Sequence, residues 1–208
     1  MHIQRLAAAA FAAGLVVTLT AGTASAQSAA TRFVVAPQGN EARYFVREQL
    51  AGIDFPSDAV GRTSAVEGAL VIDANGAIVR DQSRITIQLG TLATDSDRRD
   101  NFVRNNILQT AQHPTAVFVP TELKNLRFPL PPAGDITFQM VGDLTIRGVT
   151  RPVTWDVTAT TANGSIRGEA KTKFTFADFT MTKPRVRSVL SVDDDIRLEY
   201  SFFLVPAR

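Results

Sequence analysis

The chain has 208 residues, with 22 Lys and Arg against 20 Asp and Glu, and it contains no Cys and only two His. Because nucleic-acid-binding proteins need a clustered basic surplus, the near balance of charge excludes that class, and we expect no nucleic-acid partner. The scarcity of Cys and His removes the usual zinc, copper and haem ligand sets, so we expect no metal and no cofactor. Without disulfides, the fold must be held by buried apolar surface alone.

The first 26 residues are typical of a cleaved export signal. His2 and Arg5 form a weakly basic start, residues 6–19 are an apolar run, and Ala24-Ser25-Ala26 is a small-x-small cleavage site. We therefore predict a signal peptide over residues 1–26 and a single domain over residues 27–208. We expect a periplasmic location, and secretion beyond it stays open.

The first part of the predicted domain has the two-residue period of half-buried strands, interrupted by turn residues. Asn75-Gly76 is a strong turn signal between two such strands, and Pro56 marks a loop. The predicted elements are strands over residues 33–36, 44–50, 66–72 and 85–89, with a loop over residues 53–61.

A single segment has the period of a helix, at residues 97–108, with Asp95 or Ser96 as its N-cap. Its apolar positions share one side, whereas Arg98, Arg99, Asp100 and Arg104 are expected to stay in water. His113-Pro114 ends this region, and a strand is predicted over residues 115–119.

The second half of the chain predicts long antiparallel strands. Apolar and polar residues alternate on both sides of Arg147-Gly148, which indicates a hairpin with a tight turn, and Asn163-Gly164 is a second turn of this type. A strand ending near Phe174 and Phe176 follows, then a last strand over residues 196–204. Long strands with bulky inward sets favour an all-β fold with one helix: a closed antiparallel barrel of about eight strands rather than a sandwich.

Catalytic chemistry has little support in the sequence, and we predict a protein that is not an enzyme. His113 is the only imidazole in the predicted domain, and no G-x-S-x-G motif surrounds a serine. Asp193-Asp194-Asp195 lacks the spaced ligands and the glycine of a calcium loop, so a solvated turn is the preferred interpretation.

Several basic residues are concentrated late in the chain, and they allow two interpretations. They could attract an anionic head group or an acidic membrane surface, or they could belong to an ordinary solvated outer face, which is the preferred interpretation. These residues are Lys171, Lys173, Lys183, Arg185 and Arg187.

Residues 142–153 read G-x-L-T-I-x-G-V-T-x-P-V, which closely resembles the signature of the YceI-like family of secreted, lipocalin-like barrels associated with polyisoprenoid binding. Five further segments resemble that family in order and spacing, at residues 91–95, 106–108, 113–118, 174–179 and 193–198. Residues 39–48 depart from the family, because the Asp-x-x-His-Ser element of many members is missing. If that element contacts a ligand head group in relatives, the contact does not carry over to this chain.

The resemblance implies a periplasmic carrier that holds an amphiphilic isoprenoid-type lipid, such as a prenyl quinone, inside a lipocalin-like barrel. The alternatives are a structural or stress-related interaction module with a filled barrel, and a hydrolase that uses His113. Transient contact with a membrane surface and formation of a homodimer stay open. The residues expected to line the pocket are Ile85, Ile87, Phe138, Met140, Leu144, Trp155, Phe174, Phe176, Leu198, Tyr200 and Phe202.

Overall fold

The computed structural model describes residues 30–207, so the predicted signal peptide lies outside the described residues. The longest element described is the strand Val189–Pro206, and the α-helix Asp97–Phe102 continues into one π-helical turn over Val103–Ile107. The element bounds are β1 Thr31–Val35, β2 Glu41–Leu50, β3 Ser57–Thr63, β4 Val66–Ile72, β5 Arg84–Gln88, α1 Asp97–Phe102, β6 Thr115–Lys124, β7 Ala133–Ile146, β8 Val149–Ala162, β9 Ser165–Thr175 and β10 Val189–Pro206.

Eight of these strands close into an antiparallel barrel. Their order is β1-β4-β5-β6-β7-β8-β9-β10, and β10 pairs back onto β1. The two remaining strands extend the wall from β10, which also pairs with β2, and β2 in turn pairs with β3. The predicted barrel of about eight strands with one helix is confirmed.

The hairpin of β7 and β8 shows how the sequence pattern produces the barrel wall. Phe138, Leu144 and Ile146 on β7 and Val153, Trp155 and Val157 on β8 are buried, and the odd-numbered residues of β7 and even-numbered residues of β8 between them are more exposed. Period-two alternation therefore places one apolar face inward along both strands. The turn between them has φ of 52° at Arg147 and 74° at Gly148, as a type I′ turn requires.

The predicted helix over residues 97–108 is present, with a change of geometry partway along. Ser96 caps α1 by accepting a hydrogen bond from the Arg99 backbone N–H, and the π-helical turn completes the segment. The expectation that Asp100 stays in water is wrong. Its side chain is buried and accepts hydrogen bonds from the Thr94 backbone N–H at 2.9 Å and hydroxyl at 2.7 Å, which replace its hydration.

Two other local predictions are wrong. The predicted loop over residues 53–61 ends earlier, because β3 begins at Ser57 and pairs with β2 from Glu48 onward. The three Asp residues at 193–195 do not form a turn; they lie inside β10, where the pairing with β2 shifts between Val192 and Ile196. A bulge in a long strand leaves these side chains exposed without reversing the chain.

The two ends of the barrel differ. We call the end that carries α1, the β7–β8 turn and the β2–β3 loop the helix end, and the end that carries the Asn163-Gly164 turn the opposite end. At the opposite end the ring of Phe128 packs onto Gly76, where an added Cβ would lie 2.2 Å from it. Among residues 30–207, no helix has the length and hydropathy needed to cross a bilayer.

The first prediction concerns Gly68, which lies in β4 opposite Ile85 of β5 with φ of 139°. An added Cβ would lie 2.0 Å from the Arg84 carbonyl oxygen, so Gly68→Ala should lower the free energy of unfolding by about 2–4 kcal/mol in urea titrations. Gly90→Ala is the matched control, since nothing lies within 4 Å of its Cβ position, and it should change stability by less than about 0.5 kcal/mol. Equal stabilities of the two variants would contradict the register of β4 and β5.

Candidate functional site

A cavity of about 510 Å³ occupies the interior of the barrel. It reaches the surface at the helix end, where the exposed residues Arg98 and Ser188 belong to its lining. Its volume lies within the range of about 300–1,000 Å³ in which proteins hold small molecules. The interior is therefore not filled by side chains.

The structure brings all of the residues predicted to line a pocket into this one cavity. They come from β5, β7, β8, β9, β10 and the turn after β9, and their inward direction follows from strand alternation. That they contact a ligand stays a prediction. The residues are Ile85, Ile87, Phe138, Met140, Leu144, Trp155, Phe174, Phe176, Leu198, Tyr200 and Phe202.

Sequence reasoning missed the contribution of β2. Ala42, Tyr44, Val46, Glu48 and Leu50 all line the cavity, at every second position of that strand. The alternation itself was the available signal, and it was obscured because the partly exposed strand carries charged residues on both faces. Tyr44 and Glu48 of β2 supply part of the polar lining.

A charged pair lies at the helix end of the cavity. The Arg99 guanidinium of α1 donates to the Glu48 carboxylate at 2.8 Å, and it also pairs with Asp95 one turn earlier. Glu48 is buried, with 8% of its surface exposed. Burial lowers the pKa of Arg99, but Glu48 and Asp95 outweigh that effect and raise it, so the guanidinium stays charged. Ser96 lies in the same part of the lining.

Tyr44 brings a hydroxyl into the same end of the cavity. Its ring packs over Gly61 of β3, where an added Cβ would lie 2.1 Å from a ring carbon. Burial raises the pKa of Tyr44 to about 12, with Arg99 opposing and three nearby carboxylates adding to the shift. Its hydroxyl makes no side-chain hydrogen bond with any other residue of the range 30–207 and remains available as a neutral donor.

Tyr200, although it also lines the cavity, has its hydroxyl committed to the barrel. It donates to the Asn40 side-chain oxygen at 3.0 Å, and that oxygen also accepts from the Phe203 backbone N–H at 2.9 Å. Burial raises the pKa of Tyr200 as well. Its ring can contact a ligand, but its hydroxyl is bonded to Asn40 within the barrel wall.

The deeper part of the cavity is apolar and aromatic. Trp155 packs edge-to-face against Phe118 with 5.9 Å between ring centroids, and Phe174 packs in the same manner against Phe179 at 4.6 Å. Trp155 is the only Trp of the chain, so its fluorescence reports on the cavity alone. This arrangement suits a long hydrocarbon and offers no nucleophile with a base beside it. His113 is not part of the lining and lies near Gly148 at the β7–β8 turn.

The late basic residues differ in their ion pairing. Lys171 pairs with Glu169 at 2.9 Å and Glu199 at 3.5 Å, and Lys173 pairs with Asp195 at 3.1 Å, all on the outer face of the sheet. This agrees with the solvated-face interpretation for these two residues. Lys183, Arg185 and Arg187 lie in the segment that precedes β10, and Lys183 pairs with Asp194 of β10 at 3.7 Å.

The sequence matches the family model of the YceI-like domain over residues 25–204. It is similar to a UPF0312 protein of Azotobacter vinelandii, with 30% identity over 130 residues that span 61% of each chain. It is also similar to the YceI protein of Escherichia coli O6:H1, with 36% identity over 75 residues, 36% of this chain and 35% of the other. The chain thus spans about three-fifths or less of the length of these curated relatives.

The fold is similar to two solved structures. A polyisoprenoid binding domain from Saccharophagus degradans, implicated in plant cell wall breakdown, matches with a TM-score of 0.64 and 12% identity over 85% of this chain and 98% of that chain. BcnA of Burkholderia cenocepacia matches with a TM-score of 0.59 and 15% identity over 80% of this chain and 96% of that chain. At these identities the structural matches establish the fold.

The second prediction concerns the two tyrosines, the only ones in the chain. Because the folded-state pKa of Tyr44 is about 12 against an ordinary 10.0, its contribution to stability is complete below pH 10 and is lost as the pH rises through about 12. A spectrophotometric titration of the folded protein should therefore show little tyrosinate absorbance near pH 10, whereas both tyrosines titrate there in denaturant. Titration of one tyrosine near pH 10 in the folded state would place its hydroxyl in water.

The third prediction compares the two partners of the charged pair. Arg99→Gln leaves the buried Glu48 carboxylate without its cation and should lower the free energy of unfolding at pH 7 by about 1–3 kcal/mol. Glu48→Gln should cost less, because Arg99 keeps Asp95 and the new amide oxygen still accepts a hydrogen bond. Urea titrations measure both free energies of unfolding. A larger loss for Glu48→Gln than for Arg99→Gln would contradict the interpretation that Glu48 needs Arg99 more than Arg99 needs Glu48.

Proposed function

The chain belongs to the YceI-like domain family, and from this premise we propose that its barrel binds an amphiphilic isoprenoid-type lipid, such as a prenyl quinone, in the periplasm. The observation that carries the proposal is the cavity of about 510 Å³, open at one end. The Saccharophagus degradans domain, described as polyisoprenoid binding, supports the ligand class because it shares the fold. The prenyl quinone and the periplasmic location are our inferences from the ligand class and from the predicted export signal.

The polarity of the cavity gives the ligand a direction. The part of the cavity lined by Phe138 and Phe202 is apolar, whereas Tyr44, Glu48 and Arg99 supply hydrogen-bonding groups at the helix end. A hydrocarbon tail gains about 25 cal/mol for each Å² of apolar surface removed from water, so the tail should lie deep in the barrel. The head group then lies near Tyr44 and Arg99, where a carbonyl oxygen can accept hydrogen bonds.

The cavity argues against the alternative of a structural module with a filled barrel. An unfilled apolar interior loses packing contacts, and a protein retains it when something else occupies it. We also propose a binding protein rather than an enzyme, because the lining holds no imidazole and no serine with a base beside it. Turnover of an ester that is lost in His113→Ala would instead support the hydrolase.

The most direct test uses the single tryptophan. Prenyl quinones quench nearby indole fluorescence, so titrating the protein with quinones of increasing isoprenoid length should quench Trp155, with affinity rising until the cavity is full. Each buried methylene contributes about 0.8 kcal/mol, or roughly fourfold in affinity. Protein purified from its native source should also carry a stoichiometric lipid, detected by organic extraction and mass spectrometry. Affinity that is flat with chain length, together with no extracted lipid, would sink the proposal.

The fourth prediction locates the wall that sets the accepted length. Ile166→Phe enlarges a side chain that lines the cavity directly after the Asn163-Gly164 turn, at the opposite end, and should weaken binding of long prenyl quinones by roughly tenfold while leaving short ones unaffected. Val141→Phe on β7 is the control, because Val141 is not part of the lining. Trp155 quenching measures both variants. Equal effects of the two substitutions would show that the tail does not reach Ile166.

A further inference from the structure

We propose that the helix end of the barrel docks on an anionic lipid bilayer through a rim of exposed side chains around the cavity opening. The rim consists of the β2–β3 loop, residues 51–56, and the segment 183–190. The two segments are joined by a hydrogen bond of 3.0 Å from the Ala51 backbone N–H to the Ser188 carbonyl oxygen. They form one continuous surface beside the opening, since Leu50, Ser188 and Val189 all line the cavity.

The rim holds the exposed large apolar side chains of the described part of the chain. Ile53 is 53% exposed, Phe55 is 78% exposed and Leu190 is 69% exposed, and no other large hydrophobic residue within 30–207 is comparably exposed. Scattered apolar residues on a surface are ordinary, but here all three lie at one end, next to the opening of an apolar cavity. Their grouping indicates a surface that meets an apolar partner.

Basic side chains lie in the same rim, in the segment 183–190. In the segment before β10, Pro184, Val186 and Ser188 line the cavity, whereas the intervening Arg185 and Arg187 face solvent. Neither arginine has a carboxylate within 4.0 Å among residues 30–207. Lys183 next to them has only Asp194, at 3.7 Å.

Arg98 of α1, which also lines the cavity, adds one more exposed cation. Exposed carboxylates moderate this positive charge: Asp54 lies within the rim, Asp97 is next to Arg98, and Asp193 and Asp194 follow closely after residue 190, where Asp194 pairs with Lys183. The attraction to an anionic surface should therefore be modest and should weaken as salt is added.

This combination fits a bilayer better than a protein partner. Isolated Phe, Ile and Leu side chains can enter the boundary between head groups and acyl chains, while neighbouring arginines reach the anionic head groups with their long side chains. In one respect the inference rests on the proposed function, because an isoprenoid lipid resides in a membrane and must enter a cavity whose opening the rim surrounds. The exposure and the charge of the rim residues do not depend on which ligand the cavity binds.

The experiment is co-sedimentation with vesicles that contain no isoprenoid. We expect binding to vesicles of phosphatidylglycerol mixed with phosphatidylcholine, reversed at high salt, and little binding to phosphatidylcholine alone. The triple variant Ile53→Ser, Phe55→Ser, Leu190→Ser should reduce binding at least roughly tenfold. The double variant Arg185→Gln, Arg187→Gln should also reduce it roughly tenfold, since each basic residue near an anionic surface contributes about fivefold at most.

The matched control is Arg32→Gln, Arg127→Gln, which removes the same charge from exposed residues at the opposite end and should leave vesicle binding unchanged. Thermal unfolding checks that every variant keeps its fold, as exposed positions allow. Absence of binding to anionic vesicles, equal binding to neutral ones, or an equal loss in the control variant would each overturn the proposal. The proposal would also be overturned if the three apolar residues bound a protein partner and did not bind vesicles.

Trp155 quenching by a short, water-soluble prenyl quinone separates this inference from the proposed function. The triple variant leaves the cavity lining untouched and should keep the affinity of the unaltered protein in solution. Normal quenching without vesicle binding would refute the docking surface alone. Vesicle binding without any quenching would refute the isoprenoid ligand and leave the docking surface standing.

Discussion

The barrel depends on the hydrogen bonds of Asn40, which hold the break between β1 and β2 against β10. Its amide nitrogen donates to the Ala36 carbonyl at 2.7 Å, and its side-chain oxygen accepts from the Phe203 backbone N–H at 2.9 Å and from the Tyr200 hydroxyl at 3.0 Å. Asn40 is buried, so each of these groups would otherwise lie unpaired in the wall. One side chain thus lets β10 pair with β2 along its first part and with β1 near its end.

This break decides where the cavity becomes polar. Because β2 continues into β3 while β4 pairs with β5, no strand ladder joins β3 to β5. That part of the wall is instead closed by reciprocal backbone hydrogen bonds of 2.9 and 3.0 Å between Arg62 and Ala93, and by α1 beyond them. Since α1 fills the gap, its Arg99 can reach Glu48 from inside the wall. The polar end of the cavity therefore follows from the strand topology.

Most of the fold and the apolar lining could be predicted from the sequence, because both follow from local patterns. Alternation along β7, β8 and β10 fixes which side chains point inward, and two turns with positive φ at their first residues fix the hairpins. The sequence could not show that Tyr44 and Glu48 share a site with Arg99, because β2 and α1 meet only through the closure of the barrel. The burial of Asp100 could not be predicted for the same reason, because its partner Thr94 lies outside the helix.

Three features of the helix end support one another: the opening of the cavity, the pair of Glu48 and Arg99, and the exposed rim. A buried ion pair is costly away from water, so Glu48 and Arg99 are tolerable only near the opening, and the interior beyond them holds hydrocarbon-like side chains. The exposed residues of the cavity lining, Arg98 and Ser188, lie at the helix end, so a ligand can enter from that side. An amphiphile that enters tail first keeps its head group beside Tyr44 and Arg99, at the surface that faces the bilayer in our proposal. Entry, orientation and docking then depend on the same short stretch of wall, and β2 is the element common to all three.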